Sequence, residues 1–199
     1  MKLSLPSDVT FNTDKAINFL NGRYDLNHGC FMERLEPSVA FPMSLVSEVL
    51  PYDYTPSSEA DLAEMWAFLR KTFQCDEDLN YVLYVFASAL LGDVSGCTCL
   101  FHVGKGSTGK TTLLRLVEHT FGFYVQKLPS HVFDSRATAN RVLSEVRNTS
   151  RFLIVNELNK KPKDANVIKA ICDGEISTTK LYKGGGHDSL IKGKLFCTV

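Results

Sequence analysis

The stretch Gly104-Lys105-Gly106-Ser107-Thr108-Gly109-Lys110-Thr111 decides how the rest of the chain is read. It follows the apolar run Thr98-Cys99-Leu100-Phe101-His102-Val103, which predicts a buried strand, and precedes residues 110–121, whose spacing predicts a helix ended by Gly122. G-x-x-x-x-G-K-[ST] in that setting is the pattern of a phosphate loop. Glycines let the backbone bend until successive N–H groups and the helix N-terminus face one anion. The pattern predicts a site for Mg-ATP built from Gly104, Lys105, Gly106, Ser107, Thr108, Gly109, Lys110, Thr111 and Thr112. Lys110 is the catalytic cation for the β and γ phosphates, and Thr111 offers a hydroxyl to Mg²⁺ with Thr112 beside it.

Working toward the C-terminus, strand and helix signals alternate. Residues 123–127 read as a short strand, 137–146 as a helix, 151–155 as a buried strand and 194–199 as another. Pro162 opens a further helix carrying Val167, Ile168 and Ile171 on one face, with Gly174 past its end. Such alternation implies a mainly parallel sheet covered by helices, an α/β fold. The buried strand Phe152-Leu153-Ile154-Val155 runs into Asn156-Glu157. Glu157 is the acid there, suited either to polarise an attacking water or to bind magnesium through water, whereas Asn156 can only position. Further on, Lys180-Leu181-Tyr182-Lys183-Gly184-Gly185-Gly186-His187 reads as a glycine-rich turn between strand-like flanks. Lys180, Lys183 and His187 make it a candidate contact for a phosphate backbone, with Tyr182 placed to stack on a base; a plain surface hairpin is the competing reading.

The N-terminal half reads differently. Residues 17–26 alternate loosely and, with the turn Asn27-His28-Gly29 before Cys30-Phe31-Met32, predict a small β-hairpin. Pro37, Pro42, Pro51 and Pro56 punctuate an irregular stretch, after which Ser57 or Ser58 can cap a helix bearing Leu62, Met65, Trp66, Leu69 and Phe73. A second helix follows with Leu79, Val82, Leu83, Phe86 and Leu90, closed by Gly92. The pattern predicts a mixed α+β, mostly helical adaptor over residues 1–93 and an ATPase core over 94–199. Charge divides at the same place: residues 1–100 hold 6 Lys and Arg against 14 Asp and Glu, residues 101–199 hold 16 against 8. A basic half suits a phosphate-rich partner, and equally suits a solvated face or contact with the acidic half.

With 44% hydrophobic and 22% charged residues, the 199-residue chain has ordinary globular usage, which excludes a disordered or coiled-coil protein. No apolar run is long enough to span a bilayer, and the opening residues lack the apolar stretch of a signal peptide, so the expected setting is intracellular, away from membranes. Six cysteines without a C-x-x-C pair predict neither a disulfide scaffold nor a zinc site, and Cys97 and Cys99 are expected to fill core space.

The order of the phosphate loop, Phe152-Leu153-Ile154-Val155-Asn156-Glu157-Leu158, residues 169–174, Lys180-Leu181-Tyr182 and Lys194-Leu195-Phe196-Cys197-Thr198 resembles a superfamily 3 helicase. More narrowly, Phe19-Leu20-Asn21-Gly22-Arg23-Tyr24-Asp25-Leu26 and the helical segment before the loop are similar to the poxvirus-type primase-helicase branch of large DNA viruses, phages and plasmids. The resemblance implies an AAA+-like ATPase that assembles as a hexameric ring, works with other replication proteins and translocates on single-stranded DNA, in the host cytoplasm or nucleus if viral. It implies that Lys183 and His187 lie on a pore hairpin. Two departures accompany it. Asn156 stands where many members have an acid, which leaves Glu157 as the catalytic candidate, and Val199 stands just before the expected sensor Asn. The implied product is an ATPase core truncated before that Asn and slow on its own; the alternatives are a non-catalytic ATP-binding assembly fragment and a small phosphate-loop kinase.

Overall fold

The computed structural model describes residues 15–33, 48–73, 75–92, 98–105, 108–147, 149–158, 164–174, 177–178 and 189–199. It divides into two compact units, 1–56 and 57–199. The two helices that the sequence assigns to an adaptor therefore belong with the sheet, and the structural division does not fall at residue 93. Apolar contact is the reason, because those helices contribute Leu69, Leu79, Val82, Val85 and Ala89 to the same core as the sheet.

In the first unit, β1 (Ala16–Phe19), β2 (Gly22–Asp25) and β3 (Cys30–Glu33) form an antiparallel meander rather than the expected single hairpin. The additional turn is Leu20-Asn21. Asn21 stabilises it from outside the strands, donating its amide to the Tyr54 carbonyl at 2.9 Å and accepting from Tyr54 N–H at 2.8 Å. Phe19, Tyr24, Phe31, Tyr52 and Tyr54 then pack ring against ring, with Phe31 and Tyr54 stacked at 4.6 Å.

The second unit opens with α1 (Glu59–Thr72) and α2 (Asp76–Leu90). Ser58 is the cap of α1: its hydroxyl accepts from Asp61 N–H and its own N–H donates to the Asp61 carboxylate, both at 3.1 Å. Only the C-terminal part of the expected apolar face is covered. Leu69 is buried, whereas Leu62, Met65 and Trp66 are each more than a third exposed.

The sheet is parallel throughout. Its strands β4 (Cys99–His102), β5 (Val125–Lys127), β6 (Phe152–Val155) and β9 (Lys194–Thr198) lie in the order β4-β9-β6-β5. Between them run α3 (Lys110–Phe121), α4 (Arg136–Leu143) and α5 (Ala165–Cys172), and β7 (Ser177–Thr178) pairs antiparallel with β8 (Ser189–Leu190). The two interior strands, β9 and β6, are buried along their whole length because both faces are covered. Phe152, Ile154 and Phe196 pack toward α1, α2 and α3, while Leu153, Val155, Leu195 and Cys197 pack toward α4 and α5. The result is a three-layer α/β unit. Strand β5 starts at Val125 rather than 123 because residues Gly122–Tyr124 form a tight 3-10 turn, and α4 ends three residues before the expected Val146. Half-buried Cys99 fills core space, as expected, and buried Cys197 does so too, while Cys97 lies outside the described residues.

Candidate functional site

Among parallel strands all carboxyl ends meet at one edge of the sheet, and ligand sites of open α/β folds lie there. At this edge the loop leaves β4 and enters α3. Gly109 occupies the cap position of α3 with φ 87° and ψ −1°, and among the described residues no side-chain cap bond forms, which leaves the first-turn N–H groups to a ligand. Glycine is required here twice over. The positive φ disfavours any side chain, and a Cβ would stand 3.0 Å from Thr72 Oγ1 and 3.3 Å from Thr72 Cγ2. Thr72, at the C-terminal end of α1, is itself held by donating to the Phe68 carbonyl at 3.0 Å, so α1 buttresses the loop.

Lys110 folds its side chain back into the loop. Its Nζ donates to the carbonyls of Gly104 and, at 2.9 Å, of Lys105, and Thr108 Oγ1 donates to the same Lys105 carbonyl at 3.1 Å. The ammonium thus stands against the described ends of the loop, at the Gly104 and Lys105 carbonyls and beside Thr108. Thr111 and Thr112 are exposed in the first turn of α3. Gly106 and Ser107 lie outside the described residues, as do Lys180, Tyr182, Lys183 and His187 of the glycine turn. The short pair β7–β8 does bring the two flanks of that turn together.

Glu157 is exposed and follows β6 at the same edge of the sheet. Its φ is 55°, a left-handed conformation that costs an L-residue about 1–2 kcal/mol. The conformation is held from the neighbouring strand: Glu157 N–H donates to Thr198 Oγ1 at 2.9 Å, and Leu158 N–H to the Thr198 carbonyl at 2.9 Å. Val199 N–H in turn donates to the His102 carbonyl at 3.0 Å. The ends of β6, β9 and β4 are thereby laced together, with β9 between the loop strand and the acid strand. Two strand spacings of about 4.8 Å separate these strands, leaving roughly 10 Å across the gap.

Two polar residues of this edge were not singled out from the sequence as site residues, Thr198 and His102. Each closes a strand directly after three apolar residues, which is the signal that could have found it, and each is buried. The His102 Nε2 has no hydrogen-bond partner among the described residues. Burial, with the Lys110 ammonium as a lesser cause, holds its imidazole below the ordinary value of 6.5. In the unfolded chain this histidine takes up a proton more readily than in the folded one, so stability present above pH 6.5 is lost as pH falls from there toward the folded value. Thermal unfolding from pH 7.5 to 5.5 should therefore show a steeper loss for the parent than for His102→Asn; parallel pH profiles would refute this.

The site fits a nucleotide on its own geometry, through uncapped N–H groups, a bare glycine at the helix entry and a cation against the loop carbonyls. For magnesium, Thr111 and Glu157 are the residues at hand. Among the described residues no group of three or more His, Cys, Asp or Glu side chains is placed to hold a metal, so phosphate oxygens would have to supply most ligands. No helix among the described residues is long and apolar enough to cross a membrane. No protein-family model matches the chain, and no curated protein matches it.

Proposed function

We propose that this chain is the nucleotide-binding core of an ATP-dependent helicase of the superfamily 3 type, coupling ATP hydrolysis to movement along single-stranded DNA in a ring of like subunits. The observation that carries the reading is the phosphate-loop sequence at a strand-to-helix junction, with Glu157 held across one intervening strand. Mg-ATP supplies the phosphoryl group whose transfer to water is the chemistry.

The chain's own residues do the positioning. The loop N–H groups and the α3 N-terminus hold the phosphates, and Lys110 neutralises charge that grows on the terminal phosphate. Thr111 would offer its hydroxyl to magnesium, which would help neutralise the phosphate charge. Glu157, fixed by its backbone bond to Thr198, orients the attacking water and accepts its proton across a gap wide enough for a phosphate and a water. Lys180, Lys183 and His187 contact the DNA backbone.

Turnover measured with and without an oligo-dT tests the reading. The expected result is slow hydrolysis that rises with the oligonucleotide and disappears in Glu157→Gln, while Mg-ATP binding persists. Binding without any turnover would leave the non-catalytic assembly fragment, and turnover that needs a small hydroxyl acceptor and ignores DNA would leave the kinase.

A further inference from the structure

A pocket of about 440 Å³ opens at the carboxyl end of β5, walled by Gln126, Lys127, Leu128, His131, Arg141 and Glu145. It lies at the same edge of the sheet as the phosphate loop but three strands away, about 14 Å at the usual strand spacing. The fold creates it in three ways. Among the described residues β5 is an edge strand, with no further strand on its outer flank. The 3-10 turn Ser130–Phe133 buries Val132 and Phe133, which turns His131 outward. Arg141 and Glu145, one helical turn apart, then project from the end of α4 toward the strand.

The charges of this pocket are unequally engaged. Lys127 is paired with Glu118 of α3 at 2.6 Å. Arg141 and His131 are exposed, and neither side chain has a partner among the described residues. A free guanidinium offers a planar fork of N–H donors matched to two phosphate oxygens, and an imidazole N–H adds one hydrogen bond. Around them, residues 126–147 carry four Lys and Arg against two Asp and Glu. Glu145 beside Arg141 keeps the local positive charge small, which suits the single charge of a phosphodiester better than the double charge of a terminal phosphate. α4 also packs against β7, the strand that leads into the glycine turn.

We infer that this pocket is a phosphodiester site for a single strand of nucleic acid, with Arg141 holding the phosphate and His131 and Gln126 flanking it. The inference rests on the nucleic-acid reading proposed above and adds a second contact to it. Because a phosphate contact carries no base information, binding here tolerates sequence and weakens as salt rises.

The test is fluorescence anisotropy of labelled dT20 with the full chain over a salt series, using the parent, Arg141→Ala, Glu145→Gln and Lys183→Ala, with dTMP as competitor and Mg-ATP affinity measured in parallel. Arg141→Ala should weaken dT20 binding about fivefold or more and reduce the salt slope by roughly one phosphate contact. Glu145→Gln should tighten it about twofold, a gain that misfolding cannot produce. dTMP should compete poorly, and Mg-ATP affinity should stay unchanged in both variants. If the parent binds dT20, Lys183→Ala weakens it and Arg141→Ala does not, the pocket is overturned and the helicase reading stands. If the parent binds Mg-ATP but no dT20, both nucleic-acid assignments fall. Strong competition by dTMP would overturn the phosphodiester preference.

Discussion

Lys110→Ala is expected to weaken Mg-ATP binding by roughly thirty- to a hundredfold, the equivalent of about 2–3 kcal/mol for a charge-assisted contact to phosphate. The reason lies in where its ammonium stands. Nζ donates to the Gly104 and Lys105 carbonyls, which places the positive charge against the described ends of the loop and close to the α3 N-terminus. A triphosphate entering that loop meets one cation aimed at its terminal end. Lys105 is exposed and reaches into the site with its carbonyl, so Lys105→Ala should change affinity by a few-fold at most. Calorimetric titration of both variants decides the point, and equal affinity for Lys110→Ala and the parent would remove the nucleotide assignment. Folding is separable from this effect, since Lys110 is only partly buried and contributes nothing to either apolar core.

Phe152→Ala should destabilise the second unit by about 3–5 kcal/mol, the range for truncating a fully buried aromatic side chain. Phe152 has no exposed surface and sits at the meeting point of three other rings: stacked on Phe121 at 5.4 Å, tilted against Phe196 at 5.4 Å and edge-on to Phe86 at 6.0 Å. Those partners come from α3, β9 and α2, so the vacated volume is bounded by three elements that the sheet holds in place and cannot collapse fully. At about 2–4 °C per kcal/mol for a domain of this size, the melting temperature should fall by roughly 10 °C. Phe152→Leu keeps most of the volume and should cost under about 1.5 kcal/mol. Thermal and urea unfolding of the two variants measure the difference, and a shift of less than a degree or two for Phe152→Ala would contradict the packing described. Stability of this size is a large share of the 5–15 kcal/mol of an ordinary domain.

Much of the local structure was legible along the chain because its causes are local. The bounds of α3 follow from a glycine at each end, and the start of α1 is legible at Ser57 or Ser58, of which the structure uses Ser58, in a reciprocal pair of hydrogen bonds with Asp61. The apolar run Phe152–Val155 identified β6 as a buried strand, and residues 194–199 read as a further strand. Where the reading missed, a distant partner intervened. The turn at Leu20-Asn21 depends on Tyr54, more than thirty residues away, and the exposed Leu62, Met65 and Trp66 share the helical spacing of buried Leu69. Periodicity alone could not tell them apart.

For the site, the sequence by itself determined the loop, the lysine inside it and the acid at the end of a buried strand, because strand-to-helix junctions and glycine-rich turns are encoded in a few adjacent residues. It did not determine that β9, the last strand in the chain, lies between the loop strand and the acid strand. Strand order is a choice among pairings of segments far apart, made by which apolar faces bury the most surface together, and no local pattern carries it. That choice alone brought Thr198 beside Glu157, drew Val199 to His102, and set the gap between Lys110's loop and the acid. The packing of α1 against Gly109 through Thr72 arose the same way, since helices α1 to α3 share one apolar layer only once the sheet has formed beneath them.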